Sequence, residues 1–339
     1  MTSKNKLTEE QIRPRKLKII NRKKNKADVN FLISRKKSFV KVSCPACLGK
    51  KNKKYLTKNN FKYLICTECK TFYVSPRPSE RLLGEFYKQS VVYKFFNNYI
   101  FPTTEKIRAK KISKPRLDKI IKLSKKYNLD RPSLMEVGPG YGTFCKLAKK
   151  SNFFSSVEAV EPTPDGAENC RKNKVHVYEE TIENLTINKK FDIIVNFEVI
   201  EHLFWPKNFL ISMRKFLKKK GFIILTCPNG MGFDIQVLKE KSDSIDHEHI
   251  NYFNPFSIEK LFQSCGYNVI EIFTPGLLDV DLIRNKVLNK EFSLEKNSFY
   301  EDVIIKNYET KGNEFQKFLI KNKLSSNMWV IAQVKNNKC

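Results

Sequence analysis

The chain has 339 residues, with 64 Lys+Arg against 35 Asp+Glu, a formal net charge of +29. That length holds one large core plus a small module, and no apolar run is long enough to cross a bilayer as a helix. The polar, Lys-rich N-terminus has no apolar segment of a secretory signal, which predicts a cytoplasmic protein. The positive excess suits an anionic partner: nucleic acid, a phosphorylated or nucleotide-linked small molecule, or an anionic membrane face. Lysine far outnumbers arginine, so much of the charge reads as solvated surface, because bidentate phosphate recognition favours arginine.

Residues 1–40 form a basic, polar leader with lysines at Lys23, Lys24, Lys26, Lys36 and Lys37. It reads as a mobile tail or a loose helix. A nucleic-acid arm is the weaker reading, since aromatics for base stacking are nearly absent. Residues 41–79 form a module defined by two C-x-x-C pairs, Cys44/Cys47 and Cys66/Cys69, separated by eighteen residues. In a cytosolic chain such pairs bind metal more often than they form disulfides. Two such knuckles predict a closed, structural Zn2+ site with four thiolates. The segments K-Y-L-T and F-K-Y-L-I between them suit a hairpin, and a module this small needs the metal to fold. A redox dithiol would need only one pair.

Ser79 is placed to cap a helix starting at Glu80. Residues 80–130 read as a helical linker or lid, with Phe86, Tyr87, Tyr93, Phe95, Phe96 and Tyr99 available for packing or as a roof over a pocket. From Ser133 short apolar runs alternate with helical patterns. Strands are predicted at 133–137, 156–161, 174–178, 191–197, 220–226, 267–273 and 327–335, with Gly221 ending a helix. This alternation predicts a parallel sheet covered on both faces.

The stretch L-M-E-V-G-P-G-Y-G-T-F-C-K-L, Leu134 to Leu147, sets the chemistry. An apolar strand ends at Glu136-Val137 and glycines follow at 138, 140 and 142. Glycine there lets another molecule lie against bare backbone, and a strand–glycine turn–helix unit binds its ligand at the carboxyl end of the strand. Glu161 ends the next strand, twenty-three residues past Gly138, where a carboxylate can accept hydrogen bonds from both hydroxyls of a ribose. The E-x-G-x-G-x-G pattern resembles the first motif of class I S-adenosylmethionine-dependent methyltransferases. F-D-I-I-V-N-F-E-V-I-E-H-L, Phe191 to Leu203, and L-K-K-K-G-F-I-I-L-T-C-P-N, Leu217 to Asn229, resemble later motifs of the same family.

The resemblance implies a Rossmann-like, seven-stranded α/β sheet with a small zinc ribbon and helical additions. It implies S-adenosylmethionine as cofactor, held by Glu136, Gly138, Gly140, Tyr141, Gly142 and Glu161. Thr181 and Ile182 would lie by the adenine, although the family often has Asp where Thr181 stands. Phe197 and Glu198 would flank the cofactor, with His202 at the pocket edge or merely fixing a loop.

D-H-E-H-I-N-Y-F-N-P-F-S-I-E-K-L-F-Q-S-C-G-Y, residues 246–267, resembles methyltransferases of bacterial sugar and polysaccharide pathways, including sugar C-methyltransferases. In those, a histidine in a Glu-His pair is the proposed general base. The resemblance implies that His249 plays that part, with His247 as second candidate. Histidine suits the task through its ordinary pKa near 6.5. A zinc pair at His247 and His249 lacks evident further ligands in the sequence.

The expected layout is a methyltransferase core at 131–275, a helical insertion at 276–325, and a last strand and tail at 326–339. The expected reaction is methyl transfer to an oxygen or carbon of a small-molecule acceptor, a nucleotide-linked sugar or glycan precursor. The alternatives are an RNA or protein methyltransferase docking through the zinc module and leader, and a non-catalytic zinc-ribbon binding protein. Oligomeric state is not readable from the sequence.

Overall fold

In the computed structural model, which describes residues 7–294 and 297–335, the leader is helical. It forms α1 (Glu9–Ile12) and α2 (Arg15–Ile33). The small module follows as β1 (Phe39–Val40), β2 (Asn52–Lys58), β3 (Phe61–Cys66), β4 (Phe72–Val74) and β5 (Arg77–Pro78). Next come α3 (Glu80–Gln89), α4 (Val91–Phe95), α5 (Phe101–Arg108) and α6 (Lys114–Lys126), with π-helical turns at Phe96–Ile100 and Ala109–Ser113. Ser79 caps α3 as its residue type dictates: its side chain accepts from Leu82 N–H.

The core then alternates β6 (Ser133–Val137), α7 (Thr143–Lys150), β7 (Ser156–Val160), α8 (Pro164–Lys172), β8 (His176–Tyr178), β9 (Phe191–Phe197), α9 (Pro206–Lys215) and β10 (Leu217–Pro228). It continues through α10 (Phe233–Leu238), β11 (Asn251–Tyr252), α11 (Pro255–Ser264), β12 (Tyr267–Phe273), α12 (Asp279–Leu288), α13 (Ser298–Tyr300), α14 (Asn313–Lys321) and β13 (Asn327–Val334). Residues 336–339 of the expected tail lie outside the described residues.

Seven strands form one sheet in the order β12-β13-β10-β9-β6-β7-β8. The pairs β10–β9, β9–β6, β6–β7 and β7–β8 are parallel, while β13 runs antiparallel between β10 and β12. The chain steps outward from β6 to β8 and then returns to β9 on the other side of β6. The crevice at the carboxyl ends of β6 and β9 is therefore a topological switch point, where such sheets bind ligands.

Neighbouring side chains of one strand point to opposite faces, and both faces are buried. Ile194, Ile223 and Val330 pack with α9 and α11 residues Phe209, Leu210, Ile258 and Leu261. Ile193, Ile224 and Ile331 pack with α6 and α7 residues Leu117, Ile120, Phe144 and Ala148. This double coverage explains why the strands read as continuous apolar runs.

Three features differ from the sequence-based expectation. The leader, expected as a mobile tail or a loose helix, is helical and packs on the body through α2. Leu32 and Asp28 are buried, Lys18 pairs with Asp243 at 2.8 Å and Arg22 with Glu291 at 2.7 Å. The expected 41–79 module is not self-contained, because β11 completes its sheet in the order β11-β4-β3-β2. Gly221, expected to end a helix, lies inside β10, where the register with β9 shifts between Leu217 and Phe222. A Cβ there would sit 3.0 Å from the Lys218 carbonyl oxygen and from Leu217 Cδ2, so the tight irregularity selects glycine.

Ile194 sits at the centre of β9 with no exposed surface. Ile194→Ala should lower the free energy of unfolding by about 2–5 kcal/mol, read as a lower urea midpoint at unchanged slope.

Candidate active site

The β6–α7 turn meets the demands of a molecule lying on backbone. Gly138, Gly140 and Gly142 have φ of 75°, 53° and 74°, the left-handed region glycine enters without steric cost. At Gly138 a Cβ would lie 2.7 Å from Val199 Cγ2, whereas at Gly140 it would meet no protein atom within 4 Å. Gly140 therefore borders open space: a cavity of about 1680 Å³ at the switch point.

Glu161 stands across the turn, 4% exposed. Its Oε2 accepts Gly140 N–H at 3.1 Å, and its Oε1 accepts Thr163 N–H at 3.0 Å and Thr163 Oγ1–H at 2.6 Å. Burial pushes its carboxyl up and these donors oppose the shift. Oε2 keeps acceptor capacity for a further donor, which is what a ribose hydroxyl requires. Glu136, below the turn, accepts Cys145 Sγ–H at 2.8 Å, and burial lifts its carboxyl to about 7.

At the end of β9, Glu198 has φ of 57°. Its Oε1 accepts from Thr226 Oγ1 at 2.6 Å, Asn327 Nδ2 at 3.1 Å and Arg116 Nη2 at 3.2 Å. The Arg116 guanidinium also lies 4.4 Å from the Phe197 ring centroid. These contacts fix Phe197 and Glu198 as one wall. Tyr141 lines the opposite rim, its ring 6.0 Å from that of Phe101. Thr181 also borders the cavity. Ile182, expected beside the adenine, does not border the cavity: it is packed in the main core, 2% exposed, as a β-branched apolar side chain.

Three of the four histidines, His202, His247 and His249, border the same cavity. His249 Nδ1 lies 3.0 Å from the Ser244 carbonyl oxygen. A carbonyl only accepts, so the proton sits on Nδ1 and the lone pair on Nε2. His202 Nδ1 lies 3.2 Å from both the Glu248 carbonyl and the Tyr87 hydroxyl. That contact fixes the same tautomer, and burial followed by repulsion from His249 pulls its pKa down to about 3. The two rings are 4.7 Å apart. His247 is placed differently: its Nε2 faces Asp28 and Glu248 at 3.9 and 4.0 Å.

Glu201 lies beneath the first pair, 1% exposed, with neither carboxylate oxygen hydrogen-bonded among the described residues. Burial, then the Glu198 charge, pushes its carboxyl well above the usual range. Donor atoms of Glu201, His202 and His249 lie within 4.8 Å of one another, as do those of Asp28, His247 and Glu248. Besides the adjacent Glu248, the side chains grouped with His247 and His249 come from distant segments: Asp28, Glu201 and His202.

The four cysteines of the small module also converge. Cys44 Sγ is 3.4 Å from Cys69 Sγ, and Cys47 Sγ is 3.6 Å from Cys66 Sγ. Sulfurs around a tetrahedral ion at 2.3 Å stand about 3.8 Å apart, so the set fits one such ion. The knuckles repeat one geometry: Leu48 N–H donates to Cys44 O at 2.9 Å, and Lys70 N–H to Cys66 O at 3.1 Å.

The module's sheet carries the histidine loop. β11 pairs with β4 two residues after His249, with Asn251 opposite Tyr73 and Tyr252 opposite Phe72. The Phe72 and Tyr252 rings stack at 4.2 Å, and Tyr63 Oη–H donates to the Asp246 carbonyl at 2.8 Å.

Residues 106–272 match the family described as a methyltransferase domain. The chain carries a class I S-adenosylmethionine-dependent methyltransferase domain. The glycine turn with an open Gly140 and the acceptor capacity of Glu161 fit this cofactor, which brings a methyl group already activated on a sulfonium.

Two ubiquinone biosynthesis O-methyltransferases are similar to this methyltransferase. That of Rickettsia canadensis is 29% identical over 184 residues, covering 50% of this chain and 77% of the relative. That of Rickettsia akari is 29% identical over 126 residues, covering 35% of this chain and 50% of the relative. An S-adenosylmethionine-dependent methyltransferase structure from Clostridium acetobutylicum aligns with a TM-score of 0.46 at 14% identity, over 71% of this chain and 99% of that one.

Asp28, Tyr87 and Arg116 were missed from the sequence. Tyr87 lay in the aromatic stripe noted above a possible pocket. Nothing local marks Asp28 or Arg116, whose partners Ser90 and Glu198 come from other elements. Gly140→Leu should weaken S-adenosylhomocysteine binding by at least about 100-fold in calorimetric titration, because a Cβ there meets no protein atom within 4 Å and the side chain enters the cavity; circular dichroism reports that the chain stays folded despite the φ of 53°.

Proposed function

We propose that this methyltransferase transfers a methyl group to a hydroxyl of a small, anionic acceptor, with His249 as general base. The observation that carries the reading is the His249 tautomer. Its Nδ1–H is engaged by the Ser244 carbonyl, leaving a basic Nε2 in the cavity that also holds the glycine turn and Glu161. His249 Nε2 takes the acceptor's proton as the new bond forms. His202, held neutral, and Tyr87 orient the acceptor. Most of the rate then comes from positioning.

The charge of the cavity wall favours an anionic acceptor. Lys18, Arg22 and Lys26 lie four residues apart on α2, and all border the cavity together with Lys58 and Lys88. Lys26 and Lys88 make no ion pair among the described residues, so an incoming phosphate would find unpaired cations there. A nucleotide-linked sugar has this chemistry. A phenolic acceptor is the second reading, favoured by the O-methyltransferase names of the relatives. The cysteine cluster is read as a structural Zn2+ site.

The test is methyl transfer from labelled S-adenosylmethionine to nucleotide sugars, to dihydroxylated phenols and to RNA. The reading expects label on a nucleotide sugar, with transfer in His249→Ala down by about 10²–10⁴-fold at unchanged S-adenosylhomocysteine affinity. Label on RNA alone, lost steeply with added salt, would overturn it. For the cysteine cluster, Cys69→Ser should lose one zinc per chain relative to the parent, measured by elemental analysis.

A further inference from the structure

His247 is not explained by the methyl-transfer chemistry. Its side chain is 1% exposed, and neither ring nitrogen has a hydrogen-bond partner among the described residues. Glu248 Oε1 is buried and equally without a partner. Nε2 lies 3.9 Å from Asp28 Oδ2 and 4.0 Å from Glu248 Oε1. These spacings are too long for hydrogen bonds. They suit donors arranged around a cation, which at roughly 2.1 Å from each ligand holds neighbouring donors about 3–4 Å apart.

The ligands are also braced from behind. Asp28 Oδ2 accepts Ser90 Oγ–H at 2.6 Å and Val92 N–H at 3.1 Å, and Oδ1 accepts Val91 N–H at 3.0 Å. The Phe86 ring meets the His247 ring edge-on at 5.6 Å and 80°. Such outer contacts orient the ligands of a metal ion.

We propose that Asp28, His247 and Glu248 bind a divalent cation that clips the leader helix α2 to the histidine loop. One imidazole and two carboxylates favour ions such as Mn2+ or Zn2+, whereas thiolates such as those of Cys44 and its partners select softer ions. The clip joins a segment outside the matched methyltransferase domain to the loop carrying His249 two residues further on. It therefore sets the distance between the base and the basic wall of α2. The ion neutralises the carboxylates and gives the buried imidazole the partner it lacks. The inference does not depend on the identity of the acceptor.

The test is Mn2+ titration of the full chain, with free Mn2+ followed by electron paramagnetic resonance. Mn2+ is a poor match for the thiolate cluster. The parent and Glu201→Gln should bind it, while His247→Ala and Glu248→Gln should each weaken binding at least about tenfold. Glu248→Gln preserves shape, and S-adenosylhomocysteine binding reports that each variant is folded. A parent chain that binds no Mn2+ would overturn the proposal, as expected if His247 were instead an imidazolium shared by two carboxylates. Binding abolished by Glu201→Gln and untouched by Glu248→Gln would place the ion at the neighbouring cluster and also overturn it.

Discussion

The two-residue pairing of β11 with β4 is the constraint on which the acceptor side of this site depends. Val74 N–H donates to the Ile250 carbonyl at 3.0 Å, and Ile250 N–H donates to the Glu201 carbonyl at 3.0 Å. One residue, Ile250, is thereby bonded to the cysteine module through its carbonyl and to the segment after β9 through its N–H. His249 is the residue before it. The residues between β10 and β11 form no strand of the main sheet, so these bonds, with those from His202 to the Glu248 carbonyl and from Tyr63 to the Asp246 carbonyl, hold the loop beside the cofactor turn. The module is thus a bracket for the histidine loop, and Asn254, which caps α11 and donates from Nδ2 to the Cys69 carbonyl at 2.9 Å, adds a second anchor.

The cavity accordingly has two walls of different origin. The cofactor wall comes from the core sheet: the glycine turn after β6, Glu161 after β7, and Phe197 and Glu198 after β9. The acceptor wall comes from additions to that sheet, namely α2, the aromatic helices and the histidine loop. This division follows from the sheet topology. The carboxyl ends at the switch point are fixed by parallel pairing, whereas whatever closes the opposite side must be brought by separate segments.

The core was legible because its signals are local. Short apolar runs, helical spacing and three glycines at alternate positions each report on a few neighbouring residues, and the seven strands fall close to their expected limits. The additions were less legible because their signals are distant. Asp28 reads as one acid in a lysine-rich helix, and only the fold shows it capping α4 from sixty-two residues away. A charged leader therefore concealed a docked one. Gly221 was misread because glycine marks a helix end and a strand irregularity equally well. The surroundings of His247 and His249 were not legible, since Asp28 and Glu201 lie far from them along the chain.

Hydrogen exchange measures the bracket most directly, because protection of a backbone amide reports the local free energy of opening. The comparison is between the parent and Cys44→Ser, at the Val74 amide and across residues 246–253, with β6 as internal reference. If the module holds the histidine loop, Cys44→Ser loses protection at Val74 and throughout the loop while β6 stays protected. Unchanged protection of the loop, with the cysteine module itself opened, would contradict the account.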